Sequence, residues 1–308
     1  MNRVFRTILS IVILLHLLSS SLFSQPNQVV FENYTLENGL QNNTVHQAFQ
    51  DSRGYMWFAT NNGISRYDGY KFTSFRNDPT DSTSLSGLLA RVIFEDKKGN
   101  LWIGTESGGL NRFNREKETF EHILPADSVK GLGTSVKSIA EDATGRLWLG
   151  TNIGIKVYDP VSKTVQSFPF KPNANNSPSD RYVRVLQFDA HGKLWVGTNG
   201  GLDLFDPATK KFSRIHDTYP ELKDEIWEIY RDPAGMLWVG TYNNGLFFID
   251  PKNLQAKKIH LDGDKEWSKT IRSVVRDEKG LYWIGSRAGL CIYDPQKNTS
   301  AWFGNVEK

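Results

Sequence analysis

The chain has 308 residues, of which 39% are hydrophobic, 23% charged and 12% aromatic, with Lys+Arg 37 against Asp+Glu 34 for a formal charge of +3. This is an ordinary globular mix; it excludes a disordered tract and a bundle of membrane helices, and the balanced charge speaks against a nucleic-acid binder. A lone cysteine, Cys291, excludes an internal disulfide, a Cys-ligated zinc and an iron–sulfur cluster.

Arg3 and Arg6 precede an apolar run over residues 8–18, and a Ser-rich stretch over 19–24 follows. A charged start, a short apolar middle and a small-residue end form the secretory signal pattern. The run is too short for the ~20 residues that span a bilayer. Residues 1–24 are therefore expected to be a signal peptide, cleaved near Ser24-Gln25, which places the mature chain in a periplasm with no membrane span.

From there on one unit repeats six times. Trp57, Trp102, Trp148, Trp195, Trp238 and Trp283 are spaced 45, 46, 47, 43 and 45 residues apart. Six residues before each stands an aspartate: Asp51, Asp96, Asp142, Asp189, Asp232 and Asp277. Three residues before each stands a glycine, from Gly54 to Gly280, and a second glycine follows the Trp, from Gly63 to Gly289. Each unit reads as four short strands. Strand A precedes the Asp; Asp-x-x-Gly is a tight turn; strand B carries the Trp; a short Asn/Gly turn leads to strand C. Asp-Pro, as in Asp206-Pro207, then stops strand C, and strand D follows. Four antiparallel strands every ~40–45 residues are the blade pattern of a β-propeller, an all-β fold. Strand-D segments occur seven times, at 31–34, 72–75, 120–123, 165–168, 212–215, 257–261 and 300–303, against six A-B-C units. The count predicts a propeller over residues 25–308, truncated at its C-terminus to an incomplete seven-bladed ring. A closed six-bladed ring is the competing reading.

The opening Phe31-Glu-Asn-Tyr-Thr-Leu-Glu-Asn-Gly-Leu, then Asp51-Ser-Arg-Gly-Tyr-Met-Trp and Gly63-Ile-Ser-Arg-Tyr-Asp-Gly, resembles the two-component regulator propeller family. The likeness runs over about residues 31–303. It implies the periplasmic sensor region of a Bacteroidetes hybrid two-component system that answers to glycan-derived ligands. The family's membrane helix and histidine kinase are not in this chain, so the resemblance implies no enzyme activity here.

The repeated Trp and Asp are read as scaffold, the ring packing between neighbouring sheets and the carboxylate holding a turn. A second periodic position is more telling. Five residues before each repeat Asp stand His46, Arg91, Lys137, Arg184, Trp227 and Arg272. If strand A lines the central channel, they form a ring suited to an anionic or hydroxyl-rich ligand. The alternative is solvated strand starts paired with nearby carboxylates. The variable B–C turns add Asn61, Asn199, Tyr242, Asn243 and Arg287 as ligand-binding candidates, since variable loops on a rigid scaffold are where binding lives. No nucleophile–base constellation, metal-ligand spacing or phosphate loop stands out, so no catalytic residue, metal or cofactor is assigned. The expected partner is a carbohydrate or oligosaccharide, with a homodimer of the parent sensor left open. Two rivals remain: a propeller enzyme acting on polysaccharide, lyase or hydrolase, and a protein-interaction scaffold.

Overall fold

The computed structural model describes residues 31–124, 135–261 and 266–303. The expected signal peptide and the loop residues 125–134 and 262–265 lie outside them. The chain divides into two compact units, Met1–Tyr34 and Thr35–Lys308. Of the first, only residues 31–34 are described, and they belong to no helix or strand.

The second unit is a six-bladed β-propeller. Blade 1 is β1 (Val45–Gln50), β2 (Met56–Thr60), β3 (Gly63–Tyr67) and β4 (Phe72–Phe75). Blade 2 is β5 (Ala90–Glu95), β6 (Leu101–Thr105), β7 (Leu110–Asn114) and β8 (Thr119–Leu124). Blade 3 is β9 (Val136–Glu141), β10 (Leu147–Thr151), β11 (Gly154–Asp159) and β12 (Thr164–Pro169). Blade 4 is β13 (Val183–Phe188), β14 (Leu194–Thr198), β15 (Gly201–Asp206) and β16 (Lys211–Arg214). Blade 5 is β17 (Ile226–Arg231), β18 (Leu237–Thr241), β19 (Leu246–Asp250) and β20 (Gln255–Ile259). Blade 6 is β21 (Ile271–Arg276), β22 (Tyr282–Ser286), β23 (Gly289–Asp294) and β24 (Thr299–Phe303). Every sheet runs in sequence order with antiparallel neighbours. The first strands of consecutive blades lie side by side, β5 on β9, β9 on β13, β13 on β17 and β17 on β21, so these strands surround the axis.

The repeat motif builds the turn between the first two strands. In all six blades the Trp Nε1 donates to the Asp Oδ2, at 2.9 to 3.3 Å. The other oxygen accepts backbone N–H groups of the turn, as Asp142 Oδ1 does from Thr144 and Arg146. The Asp thus closes its own turn and satisfies the only polar atom of a buried indole.

The first five repeat Trp residues each face the following blade. Trp57 packs with Ile93, Leu101 and Ile103 of blade 2, and Trp195 with Ile226, Ile229 and Leu237 of blade 5. Among the described residues five such cores are present, one between each pair of consecutive blades. Trp283 belongs to none of them and is the one repeat Trp left half-buried; the other five are at most 2% exposed. Val275 of the same blade face is 55% exposed. In blade 1, at the other end of the series of blades, Phe58 is half-buried where its counterpart Ile103 in blade 2 is fully buried. Residues 31–34, expected as the outer strand of a seventh blade, enter no sheet. A strand there needs three inner strands of the same blade to pair with, and the six described blades each use their own four.

Candidate ligand-binding site

The six first strands share one irregularity. The register against the second strand slips by one between Val45 and Gln47, Ala90 and Val92, Val136 and Ser138, Val183 and Val185, Ile226 and Glu228, and Ile271 and Ser273. The extra residues are His46, Arg91, Lys137, Arg184, Trp227 and Arg272, which is the periodic set found in the sequence. A β-bulge leaves its extra residue outside the ladder and re-aims its side chain. Here it turns two successive residues of every first strand toward the axis, where strict alternation would send only one. All six bulged residues line one axial cavity of about 520 Å³. The residues that follow them, Gln47, Val92, Ser138, Val185, Glu228 and Ser273, line it too.

This second ring was missed by sequence reasoning, which assumed an unbroken strand. A signal was there. The apolar residues of the first strand stand three apart, as in Val183 and Leu186 or Ile226 and Ile229, and both members are at most 5% exposed. Two residues three apart on a regular strand face opposite ways; only an inserted residue puts both into one core.

The loop candidates divide. Asn61, Asn199 and Tyr242 hold the same position after the repeat Trp, and each meets the bulged residue of its own blade. His46 Nε2 lies 2.7 Å from Asn61 Oδ1, and Arg91 Nη1 lies 3.4 Å from His46 Nδ1, an arrangement that assigns the proton to Nε2. Arg184 Nε donates to Asn199 Oδ1. Tyr242 stacks on Trp227 at 5.6 Å and 20°. Asn243 instead ties down its own turn through Asp224, at 2.6 and 3.0 Å. Arg287 sits at the same loop position but outside the cavity lining; its backbone N–H donates to Thr270 O. Glu106, unselected in the sequence, occupies that position in blade 2 and accepts from Arg91 at 2.6 Å and Lys137 at 3.2 Å.

Charge is spread unevenly around the ring. Arg91 and Lys137 share Glu106. Arg184 reaches Glu225 Oε2 at 2.8 Å, and Trp227 Nε1 donates to the same oxygen at 3.1 Å. So three of the cations have the carboxylate partners that the blander reading required. Arg272 has none among the described residues. Its guanidinium lies 4.3 Å from the centre of the Trp227 ring, and that of Arg184 lies 4.6 Å from it. With Tyr242 also against it, the indole is covered, so it holds two guanidiniums in place and offers no open face for a sugar ring. Burial pulls the Lys137 ammonium below its ordinary pKa against the pull of Glu106. Burial acts upward on Glu106, but Lys137 and Arg91 outweigh it and hold the carboxyl low. Burial lowers His46, and Arg91 and Lys137 add to that, against its bond to Asn61. Glu228 behaves differently. It keeps some surface toward the cavity, yet protein surrounds it and no cation pairs with it among the described residues; desolvation pushes its carboxyl up to about 8.

The fold and the site together define an all-β propeller with one axial cavity bordered by Arg91, Lys137, Arg184 and Arg272. Five of the repeats match the model of the two component regulator propeller, at residues 39–62, 84–107, 130–152, 177–200 and 221–243. The first five blades thus each carry a stretch similar to the two component regulator propeller repeat. A stretch of 75 residues, 24% of this chain, is 40% identical to 6% of histidine kinase P4 of Formosa agariphila. Among solved structures, 90% of the chain superposes on the extracellular domain assigned to hybrid two component system BT3049 of B. thetaiotaomicron, with a TM-score of 0.74 and 24% identity. For the extracellular domain assigned to hybrid two component system BT4673 of the same organism, 86% superposes at 0.72 and 26% identity. The chain spans 37% of the length of each of those two. A catalytically inactive virginiamycin B lyase from Staphylococcus aureus is similar over 88% of this chain and 87% of its own, with a TM-score of 0.68 and 12% identity, a likeness of fold alone. The Bacteroides relatives are extracellular domains, and no helix among the described residues is long and apolar enough to cross a membrane.

Proposed function

We propose that this propeller is the ligand-sensing module of a two-component system, exported by its first 24 residues, and that its ligand is a glycan-derived anion bound in the axial cavity. The observation that carries the reading is the convergence of all six bulged residues on one cavity in which Arg272 is held by Trp227 and has no carboxylate partner among the described residues. A guanidinium without a carboxylate partner, flanked by Ser, Gln and Arg side chains, suits a uronate or sulfate group. Binding acts on signalling through its different affinity for two arrangements of the sensor. Phosphoryl transfer is assigned to other domains of such a sensor.

The test is calorimetric titration of the mature chain with trigalacturonate and, as neutral control, galactotriose. The double substitution Arg184→Ala, Arg272→Ala is expected to weaken trigalacturonate binding at least about tenfold, equivalent to ~1.4 kcal/mol, with the melting temperature unchanged. Unaltered affinity rejects the axial site. Turnover of either sugar, lost on changing one cavity carboxylate, would favour an enzyme instead.

A further inference from the structure

Glu228 is the one carboxylate among the described residues lining the cavity. It follows the bulged Trp227 on β17, so the same inserted residue that aims Trp227 inward sets Glu228 beside it. Its strand partner is Gly240, whose missing side chain leaves room: a Cβ there would come within 3.2 Å of the Glu228 Cβ. The strands packed on β17 bring few charges. β14 and β18 bring none, β13 brings Arg184, and β21 brings Arg272 and Arg276, the last lying 5.9 Å from the Tyr282 ring. Arg184 is engaged by Glu225 and Asn199. Across the cavity stand His46, Arg91 and Lys137, the last two held by Glu106. Among the described residues Glu228 therefore faces the cavity without a cation partner, next to the strand that carries Arg272, itself without a carboxylate partner among them.

We propose that Glu228 is the charge-selecting residue of the axial site: as a neutral acid it donates a hydrogen bond to the ligand anion that Arg272 holds, and as a carboxylate it repels that anion. This rests on the axial-site reading above. A carboxylic acid in a site from which water is largely removed stays protonated at neutral pH, as its displaced titration near 8 requires. Above that pH an anion can bind well only if the site takes up a proton; a neutral sugar carries no such demand.

The experiment compares wild type, Glu228→Gln and Arg272→Ala for trigalacturonate and galactotriose at pH 6.5 and 9. Wild type is expected to lose up to about tenfold in trigalacturonate affinity at pH 9, since about a tenth of the Glu228 population is then protonated. Glu228→Gln, which keeps a donor at both pH values, is expected to bind equally at both. A loss at pH 9 that persists in Glu228→Gln belongs to Lys137 or another cation and overturns the proposal, as does a wild type indifferent to pH. If trigalacturonate binds but ignores Arg272→Ala, or does not bind at pH 6.5, the axial-site reading fails and takes this one with it. A ligand-free readout tests the carboxyl itself. The melting temperature of Glu228→Gln relative to wild type should rise as pH goes from about 4.5 to 8 and level off above it, because in that window the unfolded chain ionises Glu228 while the folded protein keeps it protonated. A difference that is flat with pH shows that Glu228 does not titrate in the folded state near 8.

Discussion

The five interblade cores make one comparison decisive. Trp195 is fully buried against Ile226, Ile229, Leu237 and Val239 of the next blade, with its Nε1 held at 3.1 Å by Asp189. A Trp ring covers roughly 200 Å², which at ~25 cal/mol per Å² is about 5 kcal/mol, in line with the ~3–5 kcal/mol measured when core Trp or Phe is cut to Ala. Trp283 has the same hydrogen bond, at 2.9 Å, but is half-buried and belongs to no interblade core among the described residues. Roughly half the area is at stake, so Trp283→Ala should cost about 2 kcal/mol. For a chain of this size each kcal/mol moves the melting temperature about 2–4 °C. Scanning calorimetry of the two variants should show Trp195→Ala falling by about 6–20 °C and Trp283→Ala by about half as much. An equal or larger fall for Trp283→Ala would refute the assignment of each Trp to the core ahead of it.

Other outcomes follow from the same geometry. Gly197→Ala places a Cβ 2.5 Å from Val185 and 2.7 Å from Ile226, so overpacking of about 1–3 kcal/mol should appear as a lower urea midpoint, whereas Gly192→Ala, with nothing within 4 Å, suffers only from its positive φ of +77°. In Asp142 burial acts upward, but hydrogen bonds from Trp148, Thr144 and the turn backbone outweigh it and bring the carboxyl down to about 2. The stability this carboxylate contributes is full above about pH 4 and is lost as pH falls through 2. Asp142→Asn should therefore unfold with a shallower pH dependence between 4 and 2, followed by tryptophan fluorescence; an unchanged slope rules out the linkage.

The scaffold was legible because a propeller writes each blade's turn chemistry into the chain. Asp51 and Trp57, and their five copies, fix turn, strand and core at once. The ring at His46, Arg91, Lys137, Arg184, Trp227 and Arg272 was legible for the same reason: spacing from the Asp is a structural coordinate. Its partners were not. Glu106 and Glu225 meet Lys137 and Arg184 across blade boundaries, which no single repeat encodes. Glu228 was hidden by the bulge, because period-2 reasoning sends it away from the axis. The Asn243 turn looked like a binding loop because Asn serves turns and ligands alike, and here Asp224 claims it.

The inserted residue in every first strand has a further effect on how such a molecule can change over generations. Most of its twelve axis-facing side chains lie outside the cores that hold the blades together, Val92 and Val185 being the ones that also pack there. Exchanges at the others alter what the lumen accepts while leaving the buried tryptophans untouched. Drift at these places is cheap for folding and consequential for recognition, so one architecture can diversify its taste without first having to be rebuilt.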